Sequence, residues 1–174
     1  MSLRFAILTA LSERSSTGIG LARRFDRSIG YFWPASHQQI YRELDKLQSD
    51  ELVAVAETEA PPARGNPKVF EVTPAGTEAL REWASELGEP RKNRDPLMVR
   101  IRAAAALGDV DPRPVLELHL QRHLAALEEY EQIAATQFAG DLDRDARLQR
   151  LVLQAGIDTQ RMWIDWCRAA LAEL

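Results

Sequence analysis

The chain has 174 residues, 45 % of them hydrophobic and 28 % charged, with a formal net charge of −4 at pH 7. That length holds one sizeable core, or a small domain with a dimerisation module, and the composition excludes a disordered polyelectrolyte. No apolar run approaches the roughly 20 residues of a membrane span, no leader pattern opens the chain, and the single cysteine, Cys167, excludes an intramolecular disulfide framework and fits a reducing, cytoplasmic setting.

Leu3, Ile7, Leu8 and Leu11 recur at helical spacing and predict a first helix over residues 3–13. The Ser15-Ser16-Thr17-Gly18 cluster ends it and offers an N-cap to a second helix over about 17–28, with Ile19, Leu21, Ala22 and Phe25 inward. Gly18 and Gly20 follow a helix instead of a strand and lack the full glycine-rich pattern, so they do not read as a phosphate loop. A third helix opens at Ser36-His37-Gln38-Gln39. This has the form of a capping box, in which the serine hydroxyl and the glutamine side chain each satisfy the other's backbone amide. Ile40, Leu44 and Leu47 follow as an apolar stripe, leaving Gln38, Tyr41, Arg42 and Asp45 on other faces.

Two short β-prone runs, 52–56 and 68–72, flank a Pro/Gly-rich loop at 61–67 and predict a hairpin. Thr73-Pro74 then caps a fourth helix with proline at its first position. Residues 88–96 are polar and proline-bounded, the best boundary between a domain over 1–87 and a second over 97–174. Beyond it the pattern is helical: 97–107, about 112–138 and about 142–172. The last two span roughly 40 Å each, more than a compact module of this size requires, and are expected to pair with a second chain as an antiparallel helical dimerisation domain. Leu116, Leu120, Leu124 and Leu127 on one, and Leu148, Leu151, Met162 and Trp166 on the other, are the dimerisation candidates.

A mainly α chain with the order helix, helix, helix, hairpin predicts a winged helix-turn-helix, whose third helix enters the DNA major groove while the hairpin rides on the backbone. Gln38 has the geometry for adenine and Arg42, one turn later, for guanine. Ser36, His37, Gln39 and Tyr41 crowd the same capped helix start, which favours a phosphate. Arg64 and Lys68 flank the hairpin turn, where a wing needs cations. Acids balance these bases in the first half of the chain, so composition alone does not indicate nucleic acid. A winged-helix module that binds another protein and not DNA therefore stands as the alternative.

Other constellations point away from catalysis and cofactors. No Ser/His/Asp trio or carboxylate pair is legible, and no enzyme is expected. His119 and His123 have the i, i+4 spacing of a metal face but no third ligand nearby, and read as solvated or interface histidines. Trp163 and Trp166, with Tyr130 and Met162, form either packed core or a pocket for a small aromatic effector.

Residues 3–83 resemble the N-terminal domain of the PadR-type regulators. The matching stretches are Leu3-Arg4-Phe5-Ala6-Ile7-Leu8, Ser16-Thr17-Gly18-Ile19-Gly20-Leu21-Ala22-Arg23, Phe32-Trp33-Pro34 through Ile40-Tyr41-Arg42-Glu43-Leu44, and Phe70-Glu71-Val72-Thr73-Pro74-Ala75-Gly76. Residues 95–174 resemble the longer helical C-terminal domain that this family shares with virulence-gene activators, closing on Leu153-Gln154-Ala155-Gly156-Ile157 and Trp163-Ile164-Asp165-Trp166-Cys167. The resemblance implies a homodimer on a near-palindromic double-stranded operator, acting as a repressor, with release by phenolic acids or drug-like aromatics in some members. One departure is the sparse wing, with one arginine between Pro61 and Lys68.

Overall fold

The first helix forms where the apolar spacing places it. In the computed structural model, which describes residues 3–27, 29–56, 68–89 and 94–174, α1 (Leu3–Glu13) buries Ile7, Leu8, Ala10 and Leu11. Its terminal carbonyls would be orphaned. The Arg24 guanidinium closes that end, donating to the carbonyls of Ala10 and Arg14 and pairing with Glu13 at 2.6 Å.

The Ser/Thr cluster does two jobs. Thr17 Oγ1 accepts the Gly20 amide at 3.0 Å and so caps α2 (Gly18–Arg27) as its sequence predicts. Ser16 and Thr17 also form a short strand, β1, which the local pattern did not reveal. After a 3-10 turn, Ile29–Tyr31, comes α3 (His37–Ser49). The strands β2 (Val53–Val55) and β3 (Val69–Val72) follow, then α4 (Pro74–Ser85), capped by Thr73 with proline in its first turn. The sheet is antiparallel in the order β1-β3-β2, with Ser16 opposite Phe70 and Val53 opposite Val72.

One core holds these elements together: Ile7, Leu8 and Leu11 from α1, Leu21 and Phe25 from α2, Ile40, Leu44 and Leu47 from α3, with Val53 and Phe70 beneath. Each such side chain contributes about 1.5–3 kcal/mol by leaving water. Trp33 packs against this core from outside, and Phe5 of α1 stacks on Trp83 of α4 with centroids 4.6 Å apart. The exit from α3 is a Schellman turn without its usual glycine. The Leu52 amide reaches the Leu47 carbonyl, the Glu51 amide reaches Gln48, and Glu51 takes φ 59°, a conformation that costs a side-chain-bearing residue about 1–2 kcal/mol.

The chain divides into two units, Met1–Pro90 and Arg91–Leu174. The second contains α5 (Pro96–Leu107), α6 (Arg113–Gln137) and α7 (Arg144–Glu173). Asp95 caps α5 and Gly108 ends it at φ 77°, while Asp143 caps α7 through the Ala146 amide at 2.8 Å. Helices α6 and α7 pack as an antiparallel hairpin. His123 meets Gln160 midway along it, and nearer the turn Tyr130 fills the space over Gly156, where a Cβ would stand 2.9 Å from the ring. No helix among the described residues is long and apolar enough to cross a membrane.

Cys167 lies fully buried on α7, and burial pushes its thiol pKa up. A protonated, enclosed thiol is neither nucleophilic nor reachable. A disulfide-exchange reagent at neutral pH is therefore expected to leave the native chain unlabelled and to react at the rate of unfolding. Immediate stoichiometric labelling would show that this face of α7 is open.

Candidate nucleic-acid interface

The start of α3 is built by the capping box. Ser36 Oγ accepts the Gln39 amide at 3.3 Å, and the Ser36 amide donates to Gln39 Oε1 at 2.8 Å. Such a cap is worth about 1 kcal/mol. It also commits Ser36 and Gln39 to each other, so of the residues grouped here by sequence these two act first as architecture. His37 is engaged as well, its Nε2 lying 2.9 Å from Asp26 Oδ2 at the end of α2.

What remains free is narrow. With Ile40, Leu44 and Leu47 turned into the core, Gln38, Tyr41 and Arg42 are exposed on the front half of α3, without a hydrogen bond or ion pair among the described residues. The rear half carries the acids, and most are neutralised: Glu43 by Lys46 at 3.6 Å, Asp50 by Arg4 at 2.6 Å. Asp45 stays exposed and would repel a phosphate. The helix therefore offers a polar, cation-bearing front and a guarded rear.

Lys68 is exposed immediately before β3, at the mouth of the hairpin, where Ala56 donates to the Val69 carbonyl. Arg64 and the 61–67 loop lie outside the described residues. Sequence reasoning missed Gly18, which is buried under the Tyr41 ring. Its signal was a glycine at a helix start where serine, threonine or a helix former would serve better.

In the second unit the dimerisation candidates differ in their burial within the single chain. Leu116 is almost fully buried within the single chain, and Leu120, Leu124 and Leu127 are half-buried. They are largely covered before any second copy arrives. Among the outward apolar residues are Leu148, Leu151 and Met162 of the dimerisation candidates, together with Leu118 and Val152, which lie outside that set. Two stripes run along α7, and spacing alone does not say which one faces the chain's own α6.

The aromatic set separates too. Tyr130 is buried over Gly156, and burial, with Glu129 nearby, pushes its phenol pKa up. It packs the hairpin interior. Trp163 stacks on the His123 ring at 5.6 Å, its edge meeting Trp166 at 5.5 Å. His123 Nδ1 lies 2.6 Å from Gln160 Oε1, which makes this histidine a packing partner. The crevice of about 610 Å³ at the far end of the hairpin is lined by other residues, among them Leu142, Arg147, Arg150 and Leu151.

Comparison with known proteins places the two halves of the chain in two family models. Residues 7–82 match the PadR-like transcriptional regulator family, and residues 93–174 match the virulence activator alpha C-terminal domain. The probable transcriptional regulator Rv1176c of Mycobacterium tuberculosis is 38% identical over 95% of this chain and 94% of its own. The Vibrio cholerae virulence activator AphA superposes with a TM-score of 0.81 at 34% identity, covering 99% of this chain and 97% of that one. Bacillus subtilis PadR in complex with operator DNA superposes with a TM-score of 0.84 at 22% identity, over 100% and 98% of the two chains, a likeness of fold.

Proposed function

The chain belongs to the PadR-like family of transcriptional regulators, and on that premise we propose that it binds double-stranded operator DNA as a homodimer and represses the gene beside it. The observation that carries this is the front half of α3: a capped helix start, buried on its inner face, that presents Gln38, Tyr41 and Arg42 outward without a hydrogen bond or ion pair among the described residues. Gln38 and Arg42 are the base readers in this proposal. Ser36, His37, Gln39 and Tyr41 sit at the backbone, and Lys68, with Arg64, serves the wing. A two-fold symmetric protein presents two such helices, which favours a near-palindromic site.

Release by a small aromatic molecule is the regulatory arm of the same proposal. Trp163 and Trp166, both half-buried, are the groups it offers, with Tyr130, buried beside Gly156, as the third candidate.

The test is fluorescence anisotropy on DNA drawn from the region upstream of the chain's own gene and from a random-sequence selection, over a salt series. The expected result is sequence-specific binding whose log affinity falls linearly with log salt, the slope counting phosphate contacts. No DNA retained in either pool would leave the protein-binding alternative.

Arg42→Ala is expected to lose about 1–3 kcal/mol of operator binding and to relax preference at one base position. If affinity and preference both stay at the wild-type values, Arg42 is not a reader. Phenolic acids added to the same assay should release the probe if the effector arm holds.

A further inference from the structure

A Cβ on Gly18 would stand 2.5 Å from Tyr41 Cε1 and 3.3 Å from Cδ1, so the phenol of α3 occupies the space that a methyl on α2 would take. Nothing about the backbone asks for glycine there. Among the described residues the positive-φ glycines are Gly108 and Gly140, and the atoms in the way belong to a side chain. The requirement at Gly18 is for room.

That room lies at a fixed point of the domain. Gly18 follows directly on β1, whose Ser16 and Thr17 pair with Phe70 and Val69 of the wing strand, and Thr17 Oγ1 holds the Gly20 amide. A ring seated on Gly18 is therefore held in register with both the recognition helix and the wing. Tyr41 is 43% exposed, and its hydroxyl has no hydrogen-bond partner among the described residues.

Resting on the DNA-binding reading above, we propose that Gly18 is a positioning residue: it seats the Tyr41 ring so that the hydroxyl is offered to a DNA phosphate from a fixed place between α3 and the wing. The contact belongs to the backbone because the ring reaches back toward α2, away from the line along which Gln38 and Arg42 can follow the groove. Contacts of that kind set register and carry no sequence information.

The experiment is a double-mutant cycle on the full chain, with Gly18→Ala, Tyr41→Phe and the double variant. Each is titrated against DNA selected by the wild type and against scrambled DNA. Each single change should weaken both by about three- to tenfold, the weight of one hydrogen bond. The double variant should lose no more than the larger single loss, because both changes remove the same contact. The Gly18→Ala thermal midpoint should equal or exceed the wild-type one, since alanine favours a helix start that can accept it.

Losses that multiply would show that Gly18 acts independently of Tyr41 and would overturn the proposal. Should Gly18→Ala fail to fold, Tyr41→Phe carries the test, and unchanged affinity there overturns it equally. A wild-type chain that selects no DNA overturns the regulator reading and this inference with it. A wild type that binds while both single variants match it overturns this inference alone.

Discussion

Replacing Gly76 with alanine is expected to destabilise the N-terminal unit by about 3 kcal/mol, the upper end for overpacking a close contact. Helix propensity alone predicts the opposite sign, a gain of about 0.5–1 kcal/mol for Gly→Ala within a helix. Packing decides. A Cβ on Gly76 would overlap the Leu52 carbonyl oxygen far inside van der Waals contact, 3.0 Å from the carbonyl carbon and 2.9 Å from Val72 Cγ1. The nearest of these atoms is backbone, so no side-chain rotation relieves the clash.

Nor can α4 move aside cheaply. Its cap is tied to the turn after α3: the Thr73 amide donates to the Leu52 carbonyl at 3.1 Å, and Thr73 Oγ1 to the Glu51 carbonyl at 2.8 Å. The Gly76 amide in turn donates to Thr73 Oγ1 at 3.0 Å. Shifting the helix start to admit a methyl breaks that set and strains the Phe5–Trp83 stack farther along. Denaturant unfolding followed by far-UV circular dichroism reads the effect as a lowered midpoint at constant m. Gly88→Ala is the control, because nothing lies within 4 Å of its Cβ position, and it should unfold with the wild type. A Gly76→Ala midpoint at or above the wild-type value would mean that α4 does not seat on Leu52 as described.

The contrast between Thr73 and Gly76 shows what the sequence could and could not disclose. Thr73-Pro74 and Ser36 through Gln39 were legible because a cap is satisfied within four residues. The inward stripes of α1 and α3 were legible because their period belongs to one helix. Gly76 against Leu52, and Gly18 under Tyr41, join residues more than 20 positions apart, and a glycine gives no local sign of which neighbour needs its space. β1 escaped notice for a similar reason. Two residues make no pattern, and Ser16–Thr17 becomes a strand only because Phe70 and Val69 lie beside it. At the recognition helix the residue types were readable, but their availability was not. Only the geometry divides Gln38, Tyr41 and Arg42, which make no hydrogen bond or ion pair among the described residues, from Ser36, His37 and Gln39, which are engaged.

If the proposed homodimer forms through the outer stripe of α7, Leu148→Asp combined with Met162→Asp is expected to convert it into a species of the 19.6 kDa of one chain and to abolish operator binding at concentrations that saturate the wild type. Leu148 and Met162 are roughly 21 Å apart along α7 at 1.5 Å per residue. With Val152 between them they fall on one face, all three about half exposed in the single chain. Aspartates there meet water in a monomer and cost it little. Buried in an interface without partners, they would be strongly unfavourable. Folding should therefore survive while association fails. Splitting the dimer unlinks two half-site readers, which costs about 10²- to 10⁴-fold in apparent affinity through lost effective concentration. Leu127→Asp separates the two effects, because Leu127 is half-buried on α6 within its own chain, and a carboxylate there should lower the hairpin's stability before it affects assembly. Sedimentation equilibrium gives the mass, and circular dichroism confirms the fold. If the double variant still sediments as a dimer, the outer stripe of α7 is not the interface. Another exposed apolar patch in that unit, Val99 and Leu107 on α5 with Val110 just beyond it, then becomes the next surface to test for the second copy.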